Sequence, residues 1–364
     1  MNEAGDINKR KPNVKKPVLL YIYLSSSSFV NQDIKSFQEN YSVKLFCFQP
    51  KYKLMLPLSF LRQKLFLIRH LYSASILVCQ FAGYHSLLPV FAGRLFKKPC
   101  VIVVGGTDCI LMPSINYGNL RKPLMRWFTL KSLKYAKHIV SPSISLIECD
   151  YNYTNKDFAR QGFRSFDSSI RTPFTVIFNG INTTHFRTFS EIQRKKNSFL
   201  TICTSIDRRN FYLKGIDLFI IMAECFPDFE FTIIGKVSRG FNIRKPSNVT
   251  LIDYVPNELL PEIMAGSMFY CQLSLSEGFG VALAEAMACG CVPIVSKVGI
   301  LDYIAGDSGF ILEKHDPDLL KSIINKAIAS DVVSLGEKAR ERIVENFEML
   351  KRRTELLKLI KDLI

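Results

Sequence analysis

Two glutamates, Glu277 and Glu285, stand eight positions apart around a glycine-containing turn in the C-terminal third of the chain. The apolar segment Met268 to Leu275 before them is typical of a buried strand, and Val281 to Ala288 is rich in helix formers. Glu277 is therefore expected in a turn and Glu285 about one turn into a helix. Carboxylates accept hydrogen bonds from hydroxyl groups such as those of sugars. The spacing predicts that both carboxylates address one polar ligand.

The turn itself favours a second kind of ligand group. Gly278 and Gly280, on either side of Phe279, let the backbone approach a ligand closely. The following helix directs its free N–H groups and positive dipole end toward the same place. A diphosphate would be well placed there. The alternative is an ordinary strand, turn and helix of an α/β protein, with both glutamates in solvent.

The segment Glu277 to Gly290 resembles the signature E-G-F-G-x-x-x-x-E-A-x-A-x-G of retaining nucleotide-sugar glycosyltransferases of the family 4 type. All its fixed positions match. Phe178 to Asn182, with Phe186, resembles the linker of that family. The resemblance implies an α/β fold called GT-B. In it, two Rossmann-like domains face each other across a cleft, and a C-terminal helix crosses back to the N-terminal domain.

The resemblance also implies roles for individual residues. Lys214, followed by Gly215, resembles the K-G pair of the family, in which the lysine meets the diphosphate of the sugar donor. Arg209 is our choice for the partner arginine, with Arg208 as the alternative. Glu277 would hold the transferred sugar. Glu285 would hold the ribose, while Gly278, Phe279 and Gly280 would complete the sugar-donor site.

The N-terminal half resembles the family less closely. Gly105, Gly106, Thr107 and Asp108 stand where many relatives carry H-G-x-D, so the histidine position is occupied by Gly105. We take Gly105, Gly106 and Asp108 as candidates on the acceptor side. His85 is expected at the C-terminal edge of the strand Ile76 to Phe81, where it could touch an acceptor. A histidine that only packs or hydrogen-bonds is the favoured alternative.

The reaction that the resemblance implies is transfer of a sugar, with retention of configuration, from a nucleoside diphosphate sugar, such as a UDP- or GDP-sugar, to a hydroxyl of a glycan or lipid-linked acceptor. No cofactor or metal is expected. The motif Asp316-Pro317-Asp318 opens a helix, so Asp316 is expected as an N-cap and not as a metal ligand. Two alternatives stay open: a nucleotide-sugar epimerase of the same fold, and an inactive membrane-associated scaffold.

Alternating strand and helix patterns predict two domains with parallel sheets. We expect an N-terminal acceptor-binding domain over residues 1–187 and a C-terminal nucleotide-sugar-binding domain over residues 188–346. The basic amphipathic segment 347–364 is the expected crossing helix. The 364 residues, 48% hydrophobic and 22% charged, suffice for two cores of ordinary size.

A formal net charge of +16 calls for an anionic partner. No nucleic-acid-binding motif is visible, so nucleic acid is not expected. Arg62, Lys64 and Arg69 instead alternate with leucines between Leu58 and Tyr72, and Arg121 to Lys137 repeats the pattern around Trp127. Basic amphipathic helices of this kind suit an anionic membrane surface. The alternative is that these helices bury their apolar stripes in the domain core.

The ten cysteines are scattered singly and lack metal-site spacing. Residues 1–16 are polar and basic, without the apolar stretch of a secretory signal. We therefore expect a cytoplasmic protein, peripheral on the inner face of the cytoplasmic membrane, in the assembly of a surface polysaccharide or glycolipid. Ile76 to Gly93 lacks charged residues, but its polar interruptions favour a strand and a helix over a membrane span.

Overall fold

A computed structural model describes residues 16–50 and 52–364, apart from the side chain of Lys53. The basic segment before residue 16 lies outside these residues. Strands and helices alternate through both halves of the chain and build two six-stranded sheets, each with all strands parallel. The predicted α/β class is confirmed.

The first sheet has the strand order β2-β1-β3-β4-β5-β8. Its central strands are buried on both faces, as expected for a parallel sheet covered by helices. The elements of this half are β1 (Val18–Tyr23), α1 (Ser28–Asn40), β2 (Ser42–Cys47), α2 (Leu56–His70), β3 (Ala74–Gln80), α3 (Tyr84–Leu95), β4 (Cys100–Val103), α4 (Pro123–Tyr135), β5 (His138–Ser141), β6 (Cys149–Asp150), β7 (Arg160–Gln161), α5 (Phe163–Phe166) and β8 (Phe174–Val176).

The second sheet has the order β11-β10-β9-β12-β13-β14, with β9 near its centre. The elements are β9 (Ser198–Ile206), α6 (Arg208–Leu213), α7 (Ile216–Cys225), β10 (Glu230–Val237), β11 (Val249–Ile252), α8 (Leu260–Gly266), β12 (Phe269–Gln272), α9 (Val281–Ala288), β13 (Val292–Ser296), α10 (Leu301–Ala305), β14 (Phe310–Leu312), α11 (Pro317–Ile328), α12 (Val332–Asn346) and α13 (Met349–Leu363). The ring of Phe199 stacks on its register partners Phe231 and Phe269 at centroid distances of 4.9 and 4.8 Å. These aromatic pairs fix the register of the three strands.

The last helix, α13, returns to the first domain, as the fold class predicted. Leu356 and Ile360 of α13 are fully buried in a core cluster with residues of β1 and α1. The guanidinium of Arg352 forms a two-point ion pair with the carboxylate of Asp33 in α1, at 2.9 and 2.7 Å. The chain passes from the first sheet to the second between Val176 and Ser198, and the proposed domain boundary at residue 187 lies in this connection.

The two domains touch across the cleft between the sheets. The hydroxyl of Tyr151 donates to the backbone oxygen of Leu275 at 3.0 Å, and the backbone N–H of His315 donates to the oxygen of Tyr153 at 3.0 Å. The cleft is therefore closed in this structure.

The outer surface of the first domain has an unusual helix. In α2 only Gln63 and Leu67 are buried and Phe60 and Phe66 are half-buried, while four apolar residues are exposed: Leu58, Leu61, Leu65 and Ile68. Within the described ranges, no helix is both long and apolar enough to cross a membrane.

All ten cysteines are free thiols. Cys47, at the end of β2, and Cys225, at the end of α7, are exposed, Cys149 is half-buried and the other seven are buried. Disulfides contribute nothing to this fold.

Candidate active site

The strongest polar contact of the cleft joins Lys214 to Glu277. The ammonium of Lys214 lies 2.7 Å from Oε2 of Glu277, and both side chains are largely buried, with exposures of 28% and 17%. Burial by itself would lower the pKa of Lys214, but the adjacent carboxylate outweighs it and the pKa is raised. The structure thus brings together two residues that lie 63 positions apart in the chain.

Polar residues at alternate positions of β12 and the turn after it support Glu277. Gln272 Nε2 and Ser274 Oγ each lie 3.3 Å from Oε2 of Glu277, and Tyr270 donates to Gln272 at 3.3 Å. Side chains two apart on a strand share one face, which brings these groups to the carboxylate. Sequence reasoning missed Gln272 and Ser274, although polar residues at alternate positions of an otherwise apolar strand are a visible signal.

Gly215 explains why a glycine follows the lysine. It has φ +68°, and a Cβ there would lie 2.1 Å from the backbone oxygen of Leu273. A larger residue would push the Lys214 segment away from the strand that leads to Glu277. The short helix α6 ends just before Lys214. It begins after Asp207, whose carboxylate accepts a hydrogen bond from the Asn210 N–H at 2.7 Å.

Both candidate arginines lie at the start of α6. Arg208 and Arg209 line a cavity of about 1010 Å³ between the domains. Arg209 Nη2 is 3.9 Å from Asp207 Oδ2, and its side chain is 48% exposed. The structure does not bring either arginine to Glu277 directly, so the choice between them stays a prediction.

Glu285 lies in the middle of α9, with its side chain half-buried. Burial raises the pKa of this carboxyl to about 8. Among the described residues no side chain or backbone group hydrogen-bonds to it. An acid buried without a partner is poised to meet a ligand.

The aromatic residue of the turn points away from the cleft. Phe279 is 3% exposed and packs against Phe178 and Phe347 at centroid distances of 6.2 and 5.7 Å. Its side chain therefore fixes the turn against the domain connection, and only its backbone can face a ligand. Gly280, which precedes α9, has φ +102°.

On the first domain, Asp108 organises the loop after β4. Its Oδ1 accepts from the N–H groups of Gly105 and Gly106 at 3.1 and 3.0 Å, and its Oδ2 accepts from the N–H of Ala82 at 2.9 Å. Asp108 is 1% exposed, and burial raises its pKa although the backbone hydrogen bonds oppose the rise. The carboxylate thus shapes the loop, and the expected contact of Asp108 with an acceptor stays a prediction.

Gly105 stands where many relatives have histidine, and its neighbour explains the difference. A Cβ at Gly105 would lie 1.9 Å from the ring of Phe81. The Phe81 ring therefore fills the space beside the backbone at this position.

The glycine turns of the two domains meet face to face. A Cβ on Gly278 would lie 2.2 Å from the backbone oxygen of Gly105, and Gly106 lies against the same turn. Tyr117, which sequence reasoning missed, hydrogen-bonds through its hydroxyl to Thr107 at 2.9 Å. Burial raises the pKa of Tyr117, and the hydrogen bond with Thr107 and the charge of Lys214 oppose the rise.

His85 does not face the cleft. It lies inside α3, not in a turn, is 1% exposed, and its Nε2 lies 2.7 Å from the oxygen of Gln80. Burial lowers its pKa to about 4, so it is neutral near pH 7. This position fits the packed histidine that the sequence favoured, and an acceptor contact through His85 stays a prediction.

Asp316 caps α11 as expected, since its Oδ1 accepts from the Leu319 N–H at 2.9 Å. In residues 16–50 and 52–364, no three His, Cys, Asp or Glu side chains cluster closely enough to hold a metal ion. Metal independence stays a prediction.

Comparison with known proteins identifies the C-terminal half. Residues 188–348 match the family described as glycosyl transferases group 1. O-antigen chain mannosyltransferase B of Escherichia coli is 32% identical over 83 residues, which are 23% of this chain and 22% of that protein. The matches span 22% and 36% of the first two curated relatives. The family match thus covers the half that carries Lys214, Glu277 and Glu285.

Solved structures extend the similarity of fold to the whole chain. Sucrose-phosphate synthase from Thermosynechococcus elongatus superposes with a TM-score of 0.73 at 16% identity, covering 96% of this chain and 99% of that one. Anabaena HepE in complex with UDP and glucose has a TM-score of 0.68 at 14% identity, covering 95% and 99%. The chain therefore has the GT-B fold, and its C-terminal half carries a domain similar to the glycosyl transferases of group 1.

Proposed function

We propose that this protein is a glycosyltransferase that moves a sugar from a nucleoside diphosphate sugar to a hydroxyl of a glycan or lipid-linked acceptor, with retention of configuration. The observation that carries the proposal is the Lys214–Glu277 pair, 2.7 Å apart at the cleft face of the group 1 domain. Glycosyl transfer itself is supported by the group 1 relatives, and HepE, a structural neighbour, is described with UDP and glucose.

In this proposal the second domain binds the sugar donor. Negative charge grows on the diphosphate as the glycosidic bond breaks, and fixed cations stabilise it. Lys214 supplies one such charge and Arg209 another, so we propose transfer without a metal ion. Glu285 accepts hydrogen bonds from the ribose.

Glu277 is given a positioning and electrostatic role. Oε2 is held by Lys214, Gln272 and Ser274, while Oε1 makes no hydrogen bond within the described part of the chain. Oε1 can then accept from a hydroxyl of the transferred sugar. Holding the sugar in a fixed orientation is worth more to the rate than a weak nucleophile would be. The Gly105–Gly106 turn faces this site from the first domain, where we place the acceptor.

We further propose that the first domain rests on an anionic membrane. The apolar stripe of α2 is not buried in the domain core, because Leu61, Leu65 and Ile68 are 52%, 58% and 67% exposed. Three basic residues of the same helix, Arg62, Lys64 and Arg69, lie beside these apolar residues in the chain. Trp127 of neighbouring α4 is 51% exposed. Apolar residues enter the headgroup region while lysine and arginine meet anionic lipids. We place the protein at the inner face of the cytoplasmic membrane, in surface polysaccharide or glycolipid assembly.

The test begins with thermal unfolding of the purified protein in UDP, GDP, ADP, TDP and CMP. We expect one nucleoside diphosphate to raise the melting temperature, since ligand at about 100 times its dissociation constant adds about 2.7 kcal/mol. Lys214→Met should abolish the rise. Lys195→Met is the matched control, because Lys195 also pairs with a glutamate, Glu230, at 3.0 Å, but at the opposite end of the strands. Equal stabilisation of the Lys214 variant would contradict the site.

Product analysis then distinguishes the reaction classes. A transferase releases nucleoside diphosphate much faster when its acceptor is present. An epimerase would form a new free nucleotide sugar without any acceptor, and a scaffold would do neither. We expect release of nucleoside diphosphate to depend on the acceptor and to be lost in Lys214→Met.

A further inference from the structure

The cavity between the domains, beside the Lys214–Glu277 pair, is rich in cationic side chains. Its lining includes Lys156 from the first domain, Arg208 and Arg209 from α6, and Lys314 from the segment after β14. The cavity, of about 1010 Å³, has room for a sugar-sized ligand. Cations from both domains therefore converge on one space when the cleft is closed.

The cations of this cavity are poorly balanced by acids. Asp217 is the carboxylate in its lining, and Oδ2 of Asp217 is taken by His315 Nε2 at 3.3 Å. Lys156 and Arg208 have no carboxylate within ion-pair distance in the described part of the chain. The ammonium of Lys314 donates to a backbone oxygen, that of Asn152. Unpaired cations that converge in a half-enclosed space attract a multiply charged anion.

One carboxylate oxygen in the cavity lining also lacks a hydrogen-bond partner. Oδ1 of Asp217 is buried and makes no hydrogen bond among the described residues. A buried carboxylate oxygen without a partner costs free energy unless a hydroxyl or water meets it. The cavity thus offers an acceptor for a hydroxyl beside cations for an anion, which is the combination that a sugar phosphate presents.

The cavity adjoins the sugar-donor site and shares with it Arg209, which we assign to the donor diphosphate. Lys214 and Glu277 are absent from its lining, whereas Leu275, two residues before Glu277, forms part of the wall. Asn116 of the first domain forms another part of the wall. A ligand here would reach the reacting centre from the side of the first domain.

We propose that this cavity binds a phosphate group carried by the acceptor, so that the proposed transferase acts on a phosphorylated acceptor. The inference rests on the proposed function and narrows its acceptor class. Lys156 and Lys314 are the residues that specify the phosphate, one from each domain, and a phosphorylated acceptor therefore also favours the closed cleft.

The experiment measures binding of glycerol 1-phosphate by calorimetry, with glycerol as the neutral control, in protein saturated with the nucleoside diphosphate that stabilises it. We expect saturable binding of the phosphate alone. Lys156→Met and Lys314→Met should each weaken it about tenfold, as expected for the loss of one charge-assisted contact. Lys338→Met, an exposed lysine of α12 outside the cavity, should leave it unchanged.

Three results would overturn the inference. One is the absence of glycerol 1-phosphate binding while nucleoside diphosphate still binds, which would leave the proposed function standing. Another is equal weakening by all three lysine variants. The third is a loss of nucleoside diphosphate affinity in Lys156→Met as large as the loss for glycerol 1-phosphate, which would make the cavity part of the sugar-donor site.

A second arm distinguishes a soluble acceptor from a lipid-borne one. Phosphatidylcholine vesicles with and without phosphatidic acid are titrated with wild-type protein and Lys156→Met. A loss of affinity in Lys156→Met that needs phosphatidic acid supports a phosphate on a lipid. The alternative result is that the wild-type protein and Lys156→Met bind the vesicles equally, while Lys156→Met binds glycerol 1-phosphate more weakly. That result supports a water-soluble phosphorylated acceptor.

Discussion

Glu277 and Glu285 belong to one motif, but their surroundings give them different charges. Glu277 lies against the ammonium of Lys214 at 2.7 Å. Glu285 has no cation beside it, and burial raises its pKa to about 8. At neutral pH most molecules without ligand therefore carry a protonated Glu285.

The raised pKa of Glu285 predicts that nucleotide binding releases a proton. Ribose hydroxyls that donate to this group stabilise its ionised form and lower its pKa. At pH 7 close to one proton should then leave on binding, and affinity should rise with pH up to about 8 and level off above it, where the free protein is already ionised. Calorimetry in two buffers of different ionisation enthalpy measures this proton.

Glu285→Gln is the control for this prediction. It keeps a hydrogen-bond acceptor but has no titrating proton, so its binding enthalpy should not depend on the buffer. A wild-type enthalpy that is likewise independent of the buffer would show that Glu285 does not ionise on binding.

Only the site residues that stand in a sequence motif could be predicted. Lys214 and Glu277 could be named because each stands in a short pattern, although only the fold brings them together. Gln272 and Ser274 stand in no motif, so only the structure shows that they contact Glu277. The sequence could not show that Asp108 shapes its loop, because a carboxylate that shapes a loop and one that binds a ligand look the same in a sequence.

At the scale of elements, α2 differs most from an ordinary amphipathic helix. Leu58, Leu61 and Leu65 are exposed, although Leu67 of the same helix packs into the domain core beneath it. Periodicity predicted the helix and its apolar stripe, but not which way the stripe faces. That direction depends on the neighbouring helices, whose own apolar residues already fill the core.

Membrane binding through α2 predicts that a double variant of this helix loses affinity for vesicles. Leu61→Gln with Leu65→Gln should lower the affinity for phosphatidylcholine–phosphatidylglycerol vesicles by about tenfold or more, because two leucine side chains no longer enter the headgroup region. Val333→Gln with Val344→Gln, on exposed positions of α12, is the matched control. Co-sedimentation with vesicles measures both, and equal losses in the two variants would contradict the assignment.

The ion pair of the crossing helix predicts a large effect on stability. Arg352→Met leaves the carboxylate of Asp33, 2% exposed, without its partner and should lower the free energy of unfolding by about 3–5 kcal/mol. Arg353→Met removes the neighbouring pair with Glu39, in which both side chains are about 40% exposed, and should cost about 0–1 kcal/mol. Urea denaturation compares them. Similar losses would mean that α13 is not anchored by Arg352.

At the scale of the whole molecule, one contact between the domains is made by backbone alone. The carbonyl of Gly105 occupies the space where a side chain at Gly278 would begin, 2.2 Å away. The two-domain fold could be predicted from alternating patterns and from the motif. The closed arrangement could not, since a contact between two glycine turns has no hydrophobic pattern.

This contact predicts that Gly278→Ala holds the cleft open. The added methyl group cannot coexist with the Gly105 carbonyl, whereas the core of each domain stays unchanged. We expect a larger radius of gyration by small-angle X-ray scattering, a slower reaction and nearly unchanged thermal stability. Gly266→Ala, where the nearest atom lies 3.7 Å from the new Cβ, should match wild type in all three measurements. An unchanged radius of gyration in Gly278→Ala would show that the turns can separate without moving the domains.

The distribution of thiols has a practical consequence for following this motion. The two exposed cysteines of the chain, Cys47 and Cys225, lie in different domains, and the remaining eight are buried or half-buried. Maleimide dyes should therefore attach to the native chain at one position in each domain. Energy transfer between the two dyes would then report opening and closing of the cleft in single molecules, without any engineered residue.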